Sequence, residues 1–496
     1  MRHALNDQRS TLATIAAWAM FSRGLEPEFP HAVQQQVAAL RGPATDNSSA
    51  VRDLTSLPWC SIDNDDSRDL DQLTLCEPLP HHGVRILVAV ADVDALVHKG
   101  SPVDLHARLN TTSVYTSARI FPMLPERLCT DLTSLNPDQD RLAMVTQMDF
   151  SQDGVLLGSS IYRARVRNHA QLAYDAISAW IEGEADLPAA AQRVPGLSQQ
   201  LRTQDEVAQK LRVLRRAQGS LDFETFQPRA QFVGQRIATI QQQPQNRARQ
   251  LIEELMIATN GCTARFLADR GAAALRRVVR SPERWQRIVE VVKGYGVDLP
   301  TEPDGKALEA FLARQHREDP LRFPDLSLVI VKLMGSGEYV VERPGGPAIG
   351  HFGLAVLAYM HSTAPNRRYP DLITLRLLKA ALSGGKPPYS HVELDELAAH
   401  CTAQEDAAQK VERQMRKSEA ALLLHARIGQ LFDGLVTGSG DKGVWVRIFE
   451  PPAEGRLTGP VSGFKVGQPV RVRLVSTSVE RGFIDFVPAI EDRHPA

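Results

Sequence analysis

The chain has 496 residues, 43% of them apolar, and a formal net charge of −1. That length accommodates roughly three domains, or one large domain with small appendages. The charge excludes a surface coated in basic residues for bulk nucleic-acid binding, but not a narrow basic channel balanced by acids elsewhere.

Residues 1–50 read as a small helical unit, compatible with a helix-turn-helix. Ser10 is positioned to cap a helix through Ala13, Ile15, Trp18 and Phe21, and Gly24 ends it. A second helix is predicted from about His31 to Leu40, stopped by Arg41-Gly42-Pro43. The opening MRHALNDQRS leads into an amphipathic segment, not a signal-peptide core, and no apolar stretch approaches the roughly 18–20 residues of a membrane span. Cys60, Cys76, Cys129, Cys262 and Cys401 are scattered, with no C-x-x-C pair. Zinc is therefore not expected, and a reducing, cytoplasmic location is.

The run Ser61 to Gln72 (SIDNDDSRDLDQ) holds Asp63, Asp65, Asp66, Asp69 and Asp71 within nine residues. It has two readings, a solvated acidic turn or a site for a hard divalent cation such as Mg²⁺ or Mn²⁺. An EF-hand loop counted from Asp63 needs Gly at its sixth position and Glu at its twelfth, where this chain has Arg68 and Thr74. The flanks favour the cation site. Residues 84–93 (VRILVAVADV) form a nearly continuous apolar run, as in a strand buried on both faces.

Residues 51 to about 170 read as strands with loops. Alternation there places Arg163, Arg165 and Arg167 on one strand face, either solvated or available to an anion. Further arginines cluster at 276, 277 and 280 and at 367 and 368. Residues 171–430 read as mostly helical, with amphipathic segments at 248–269, 282–294, 371–382 and about 392–432. Five short strand-like runs then fall within about 55 residues, fitting an OB-type barrel. Trp445, Phe483, Arg447, Arg471 and Arg473 could form a nucleic-acid face there, with a core role the alternative for the two aromatics.

With these blocks in hand, residues 51 to about 490 resemble the RNase II/RNase R (RNB) family of 3′→5′ exoribonucleases. The resemblance rests on the acidic run, on 88–141 with its Pro-Met-Leu-Pro at 122–125, on LIEELMIATN at 251–260, and on 349–371 with TAPNRRY. The segments GLVTGSGDKGVWV and GFIDF are similar to an S1 domain. The implied fold is α+β and multidomain: a helical unit at 1–50, an RNB-like mixed sheet surrounded by helices at 51–431, an S1-like OB barrel at 432–490 and a tail at 491–496.

The resemblance implies hydrolysis of single-stranded RNA from its 3′ end, processively, to nucleoside 5′-monophosphates. It implies Mg²⁺, with Mn²⁺ as the alternative, at Asp63, Asp69, Asp71 and Gln72. Asp71 and Arg367 are the implied catalytic pair. Tyr115 and Phe223 would stack the terminal bases, Glu253 would accept from a ribose 2′-OH, and Arg368 and Tyr174 would complete the RNA contacts. A core role is the alternative for Phe223. The expected state is a monomer.

Three departures stand out. Gln72 occupies a position where the family usually has a fourth aspartate, which leaves an RNA-binding protein with a weakened or inactive nuclease centre as the alternative function. Ala364 and Asn366 replace the motif's usual Ser and Ile. About 50 helical residues precede the catalytic region, where relatives usually carry two cold-shock barrels. A more open channel mouth would let duplexes with a 3′ overhang approach.

Overall fold

The structure, a computed structural model, describes residues 7–489 except 225–227, 243–245, 321, 347–348, 441–442 and 460–462. The expected tail at 491–496 lies outside the described residues. The chain begins with helices α1 (Gln8–Phe21) and α2 (His31–Ala39). Asp7, not Ser10, caps α1: its side chain accepts from the Ser10 N–H at 3.1 Å, so the expected cap residue is the donor. After α1 the chain turns at Gly24, where φ is +76°, a conformation glycine adopts without a Cβ penalty.

Strands β1 (Val51–Asp53), β2 (Trp59–Asp63), β3 (Gln72–Pro78) and β4 (Val84–Ala91) follow. Helix α3 (Pro102–Asn110) then interrupts the strand-rich region, which the reading of 51–170 as strands missed. Next come the short hairpin β5 (Val114–Tyr115) and β6 (Ile120–Phe121), then the long strands β7 (Asp140–Phe150) and β8 (Leu156–Ala173).

The main sheet has the order β1-β8-β2-β3-β4-β7, with β8 also pairing β7. One half of β8 runs antiparallel to β7 and the other parallel to β2, so this strand joins both sides of the sheet. Successive side chains point to opposite faces, and here both faces are buried. Leu73, Leu75, Leu87 and Ala89 enter one apolar cluster; Cys60, Ile62, Ile86, Val88 and Val90 enter another on the opposite side. That explains the unbroken apolar run of β4.

Helices cover both faces. In chain order they include α4 (Tyr174–Ile181), α5 (Ala189–Gln192), α6 (Leu197–Ala217), the hairpin β9 (Pro228–Val233) and β10 (Arg236–Gln242), and α7 (Arg247–Asp269). There follow β11 (Ala274–Val278), α8 (Trp285–Lys293), α9 (Gly305–Glu318), α10 (Phe323–Met334) and β12 (Glu338–Glu342), which pairs β11. Helix α11 (Tyr369–Ser383) packs in the first cluster through Leu372, Ile373 and Leu377. Helix α12 (His391–Leu424) ends eight residues short of the expected position 432, which already lies in the next strand.

The strands β13 (Leu431–Gly440), β14 (Gly443–Ile448), β15 (Ala453–Leu457), β16 (Pro469–Ser478) and β17 (Phe483–Pro488) close a barrel in the order β13-β14-β15-β17-β16. One continuous apolar cluster links this barrel to the N-terminal unit. It contains Leu12, Ala16 and Met20 of α1, Val114 and Phe121 of the β5–β6 hairpin, Val411 and Met415 of α12, and Val436, Val446 and Phe486 of the barrel. All five cysteines are unpaired and buried. Among the described residues, no helix is long and apolar enough to cross a membrane.

Candidate active site

The acidic run links β2 to β3 and is pinned from several sides. Leu70 is 1% exposed, and its N–H donates to Ser134 Oγ at 2.9 Å while its carbonyl accepts from the Leu135 N–H. The Asp71 carbonyl continues the β3–β4 ladder by accepting from the Ala91 N–H. Asp65 and Asp66 remain exposed, whereas Asp71 is buried, 2% exposed. The run is therefore not a uniformly solvated turn.

A second segment meets it. The Asn366 N–H donates to Asp71 Oδ1 at 2.9 Å, and Arg367 Nε lies 3.5 Å from Asp71 Oδ2. The 364–371 turn is fixed by Asp371, whose Oδ1 accepts from the Ala364 N–H and from Arg368 Nη2, both at 2.8 Å. Arg368 is thereby tied to Asp371, and its guanidinium is held charged despite burial. The Arg367 carbonyl accepts from the Ser113 N–H, and the Tyr369 N–H donates to the Thr111 carbonyl. These bonds bring the strand that carries Tyr115 alongside Arg367.

The electrostatics follow from this geometry. Burial pushes the Asp71 carboxyl up to about 7; Arg367 opposes the rise and Asp69 adds to it. Burial likewise raises Asp69, with Arg367 lowering it and Asp63 and Asp66 raising it. The Tyr115 hydroxyl is raised by burial and feels Arg367, Asp69 and Asp71. The Tyr174 hydroxyl is raised by burial and feels Asp63, Arg249 and Arg367. Arg249 lies 4.6 Å over the Tyr174 ring and donates to Asn64 Oδ1 at 2.7 Å. Asp63, Asp69, Asp71, Arg367, Tyr115 and Tyr174 thus share one electrostatic neighbourhood.

The carboxylates do not form a closed cage. Among the described residues, no three His, Cys, Asp or Glu side chains are grouped to hold a metal by themselves. Asp63 Oδ1 is turned back on its own loop, accepting from the Asn64 N–H at 2.8 Å and Ser67 Oγ at 2.9 Å, and Asp71 Oδ1 serves Asn366. The donor set still suits Mg²⁺, which is commonly held by one or two carboxylates completed by water and phosphate oxygens. Mutual repulsion between Asp69 and Asp71 is what a divalent cation relieves. Gln72 is half-buried at the start of β3, opposite Val90.

Other expected residues lie apart from this cluster or are already engaged. Glu253 is exposed beside Arg212, Arg215 and Asp222 in a small cavity; desolvation by the surrounding walls raises its carboxyl. Its neighbour Glu254 is buried and bound by Arg215 Nε at 2.9 Å. Phe223 is half-buried against the α8–α10 core. The arginine face of β8 is neutralised: Arg163 pairs Asp46 at 2.8 Å, Arg165 pairs Asp53 at 2.5 Å and Arg167 pairs Asp140 at 2.7 Å. Arg276, Arg277 and Arg280 pair Glu342, Glu405 and Glu338. On the barrel, Phe483 is 57% exposed, but Arg447 is directed to Asp325 of α10 at 2.7 Å. Glu412 and Glu419 of α12 went unnoticed in the sequence. They accept from the backbone N–H groups of Tyr115 and Ser117 at 3.0 and 3.3 Å, contacts with no local sequence signal.

The chain belongs to the RNB family: the RNB domain matches residues 51–384, and an RNase II-type exonuclease C-terminal S1 domain matches residues 430–489. It is 32% identical over 505 residues to Ribonuclease R of Escherichia coli (strain K12), covering 94% of this chain and 61% of that protein. The chain thus spans about three-fifths of that relative's length. The apo form of Mycoplasma genitalium RNase R has the same fold, with a TM-score of 0.84 at 22% identity over 95% of this chain and 77% of that one. The same Mycoplasma enzyme in complex with ribose methylated single-stranded RNA gives 0.84 at 21% identity, with the same coverage. RNB nucleases depend in general on divalent metals.

Proposed function

We propose that this chain is a hydrolytic 3′→5′ exoribonuclease that shortens single-stranded RNA processively to nucleoside 5′-monophosphates. The observation that carries the reading is the meeting of buried Asp71 with Arg367 at 3.5 Å, beside Tyr115, inside an RNB domain. Arg367 is 43% exposed and can offer its remaining N–H groups to a phosphate while Asp71 orients it. Its positive charge then offsets negative charge developing on the phosphoryl oxygens. Tyr115 supplies a ring for the terminal base, a contact tolerant of base identity. Glu253 would accept from a ribose 2′-OH and Tyr174 would line the strand, with Phe223 as the outer aromatic and Arg368 holding the turn.

Asp69 and Asp71, with Asp63 and Gln72 nearby, are the residues that would hold Mg²⁺ or Mn²⁺. Bound there, the ion would lower the pKa of a water and stabilise attacking and leaving oxygens. The units at 1–50, 51–431 and 432–490, a monomeric state and a cytoplasmic location complete the reading; the unpaired cysteines suit a reducing compartment. Duplexes with a 3′ overhang are a further substrate class.

The test is end-labelled single-stranded RNA, its DNA counterpart and an overhang duplex, each with Mg²⁺, Mn²⁺ or EDTA. Metal-dependent shortening of RNA but not DNA is expected. No shortening with either metal rejects the reading. D71N should lose turnover while retaining RNA binding.

A further inference from the structure

Among the described residues, the arginines at 163–167 and 276–280 are matched to carboxylates, whereas a group of cations around α12 is largely unmatched. A groove of about 260 Å³ is lined by Arg23, Lys410, Arg413, Gln414, Lys417 and Arg481. Positions 410, 413, 414 and 417 recur at helical spacing and form one face of α12. Arg23 follows α1 of the N-terminal unit, and Arg481 sits in the turn between β16 and β17 of the barrel. Three separate parts of the chain therefore contribute charge to one depression.

The groove is held together by specific contacts. Gln414 Oε1 accepts from Arg23 Nη2 at 2.7 Å, while Gln414 Nε2 donates to the Glu480 carbonyl at 3.1 Å. One amide thus ties the N-terminal unit, α12 and the barrel. Next to it, Gly482 lies against α12 so closely that a Cβ would stand 2.9 Å from Lys417 Cβ. That approach sets Arg481 beside the helix.

No carboxylate lines the groove. Lys417 has Glu454 at 4.0 Å, the limit of an ion pair, and Arg23 bonds neutral oxygens. Among the described residues, Lys410, Arg413 and Arg481 have no carboxylate partner within ion-pair distance. Five converging cations repel one another, and a polyanion that releases their counterions removes that cost. The opposite face of α12 holds the Tyr115 loop through Glu412 and Glu419. The groove and the Tyr115 loop are thus separated by the width of one helix, about 10–12 Å.

We propose that this groove binds the sugar–phosphate backbone of RNA on the 5′ side of the nucleotides held at Asp71 and Tyr115. It gives the N-terminal unit a direct part in substrate binding through Arg23. RNA is favoured over an acidic protein segment because the helix that lines the groove, α12, holds the Tyr115 loop of the RNB site on its other face. The direction of the strand rests on the exoribonuclease reading; the RNA contact itself does not.

The experiment compares the full chain with its K410A/R413A/K417A variant, using fluorescein-labelled 5-mer and 20-mer single-stranded RNA in EDTA and fluorescence anisotropy across a salt series. The 20-mer should bind the variant on the order of tenfold more weakly, and the log–log salt slope should fall by about 2, near 0.7 per lost contact. The 5-mer should bind both proteins equally. R413E alone should weaken the 20-mer, and R413K should not, at unchanged Tm. Equal 20-mer affinity in variant and parent overturns the proposal, as does equal weakening of both lengths or no RNA binding by the parent. Displacement of the 20-mer by a poly-glutamate peptide of matched charge at the same concentration as by unlabelled RNA would assign the groove to acidic protein instead. Failure of the exoribonuclease reading appears separately, as an absence of RNA shortening with either metal.

Discussion

The Tyr115 backbone N–H donates to the Glu412 carboxylate at 3.0 Å, although 297 positions separate them in sequence. Tyr115 lies in the two-residue strand β5, too short to hold a fixed position unaided. Its placement depends on α12. A hydrogen bond to a charged acceptor contributes roughly 1.5–3 kcal/mol. E412A should therefore raise KM for single-stranded RNA by about tenfold, since about 1.4 kcal/mol corresponds to a factor of ten. The effect on kcat should be smaller, and E412Q, which keeps an acceptor oxygen but not the charge, should fall between E412A and the parent. Initial rates of RNA shortening provide the check. An E412A protein with unchanged KM would show that the loop stands without this bond.

Gln72 offers the cluster a neutral amide oxygen where a carboxylate would bind a hard cation more strongly. Q72D should lower the Mg²⁺ concentration needed for half-maximal RNA shortening. A metal titration at fixed RNA reads the effect. A higher requirement would mean that repulsion from Asp71 outweighs the added ligand.

Burial pushes the Glu419 carboxyl up to about 7, with bonds from Ser117 opposing the rise. At pH values below the ordinary glutamate range, folded and unfolded chains both carry the proton. Between that range and pH 7, only the folded chain keeps it, so folding takes up a proton and stability falls as pH rises. E419Q is permanently neutral and still presents an oxygen to Ser117. Its Tm should exceed the parent's at pH 8 and match it near pH 4. Equal Tm values at pH 8 would contradict the assignment.

Arg376 is 4% exposed and binds Asp94 and Asp104 at 2.8 Å each, the Tyr389 hydroxyl at 2.8 Å and the Val97 carbonyl at 2.7 Å. Removing one partner from such a network leaves a buried charge unmatched, at a cost of about 3–5 kcal/mol. R376M should lower the urea midpoint accordingly, and D104N in the same chain should restore part of the loss. No recovery in the double variant would place the cost in packing rather than charge.

Elements defined by local pattern were legible in the sequence. The apolar run of β4, the periodicity of α7 and the five barrel strands each declare themselves over a few residues. The Asp63–Asp71 run stood out because like charges crowd in sequence, and the structure brings Asp69 and Asp71 into one neighbourhood with Arg367 and Tyr115. Charge matching was not legible. The partners of Arg163 and Arg165 are Asp46, in the loop before β1, and Asp53, paired with Arg165 on β1; both lie more than a hundred positions away, and nothing in the spacing of these arginines distinguishes a neutralised face from a free one. The cap of α1 failed for a smaller reason: Asp7 and Ser10 are both good capping residues, three positions apart. The Asn366 contact to Asp71 was invisible because it uses a backbone N–H, which every non-proline residue carries.

Gly482 bears on how such chains can be assembled from parts. At φ +64° and pressed against Gln414 and Lys417, it makes the seat of the barrel depend on an atom that is missing. A foreign barrel grafted after α12 would need a glycine at the equivalent turn, or it would tilt away from the helix and carry its basic tip with it. Modularity here is limited less by the linker than by one hydrogen-sized side chain.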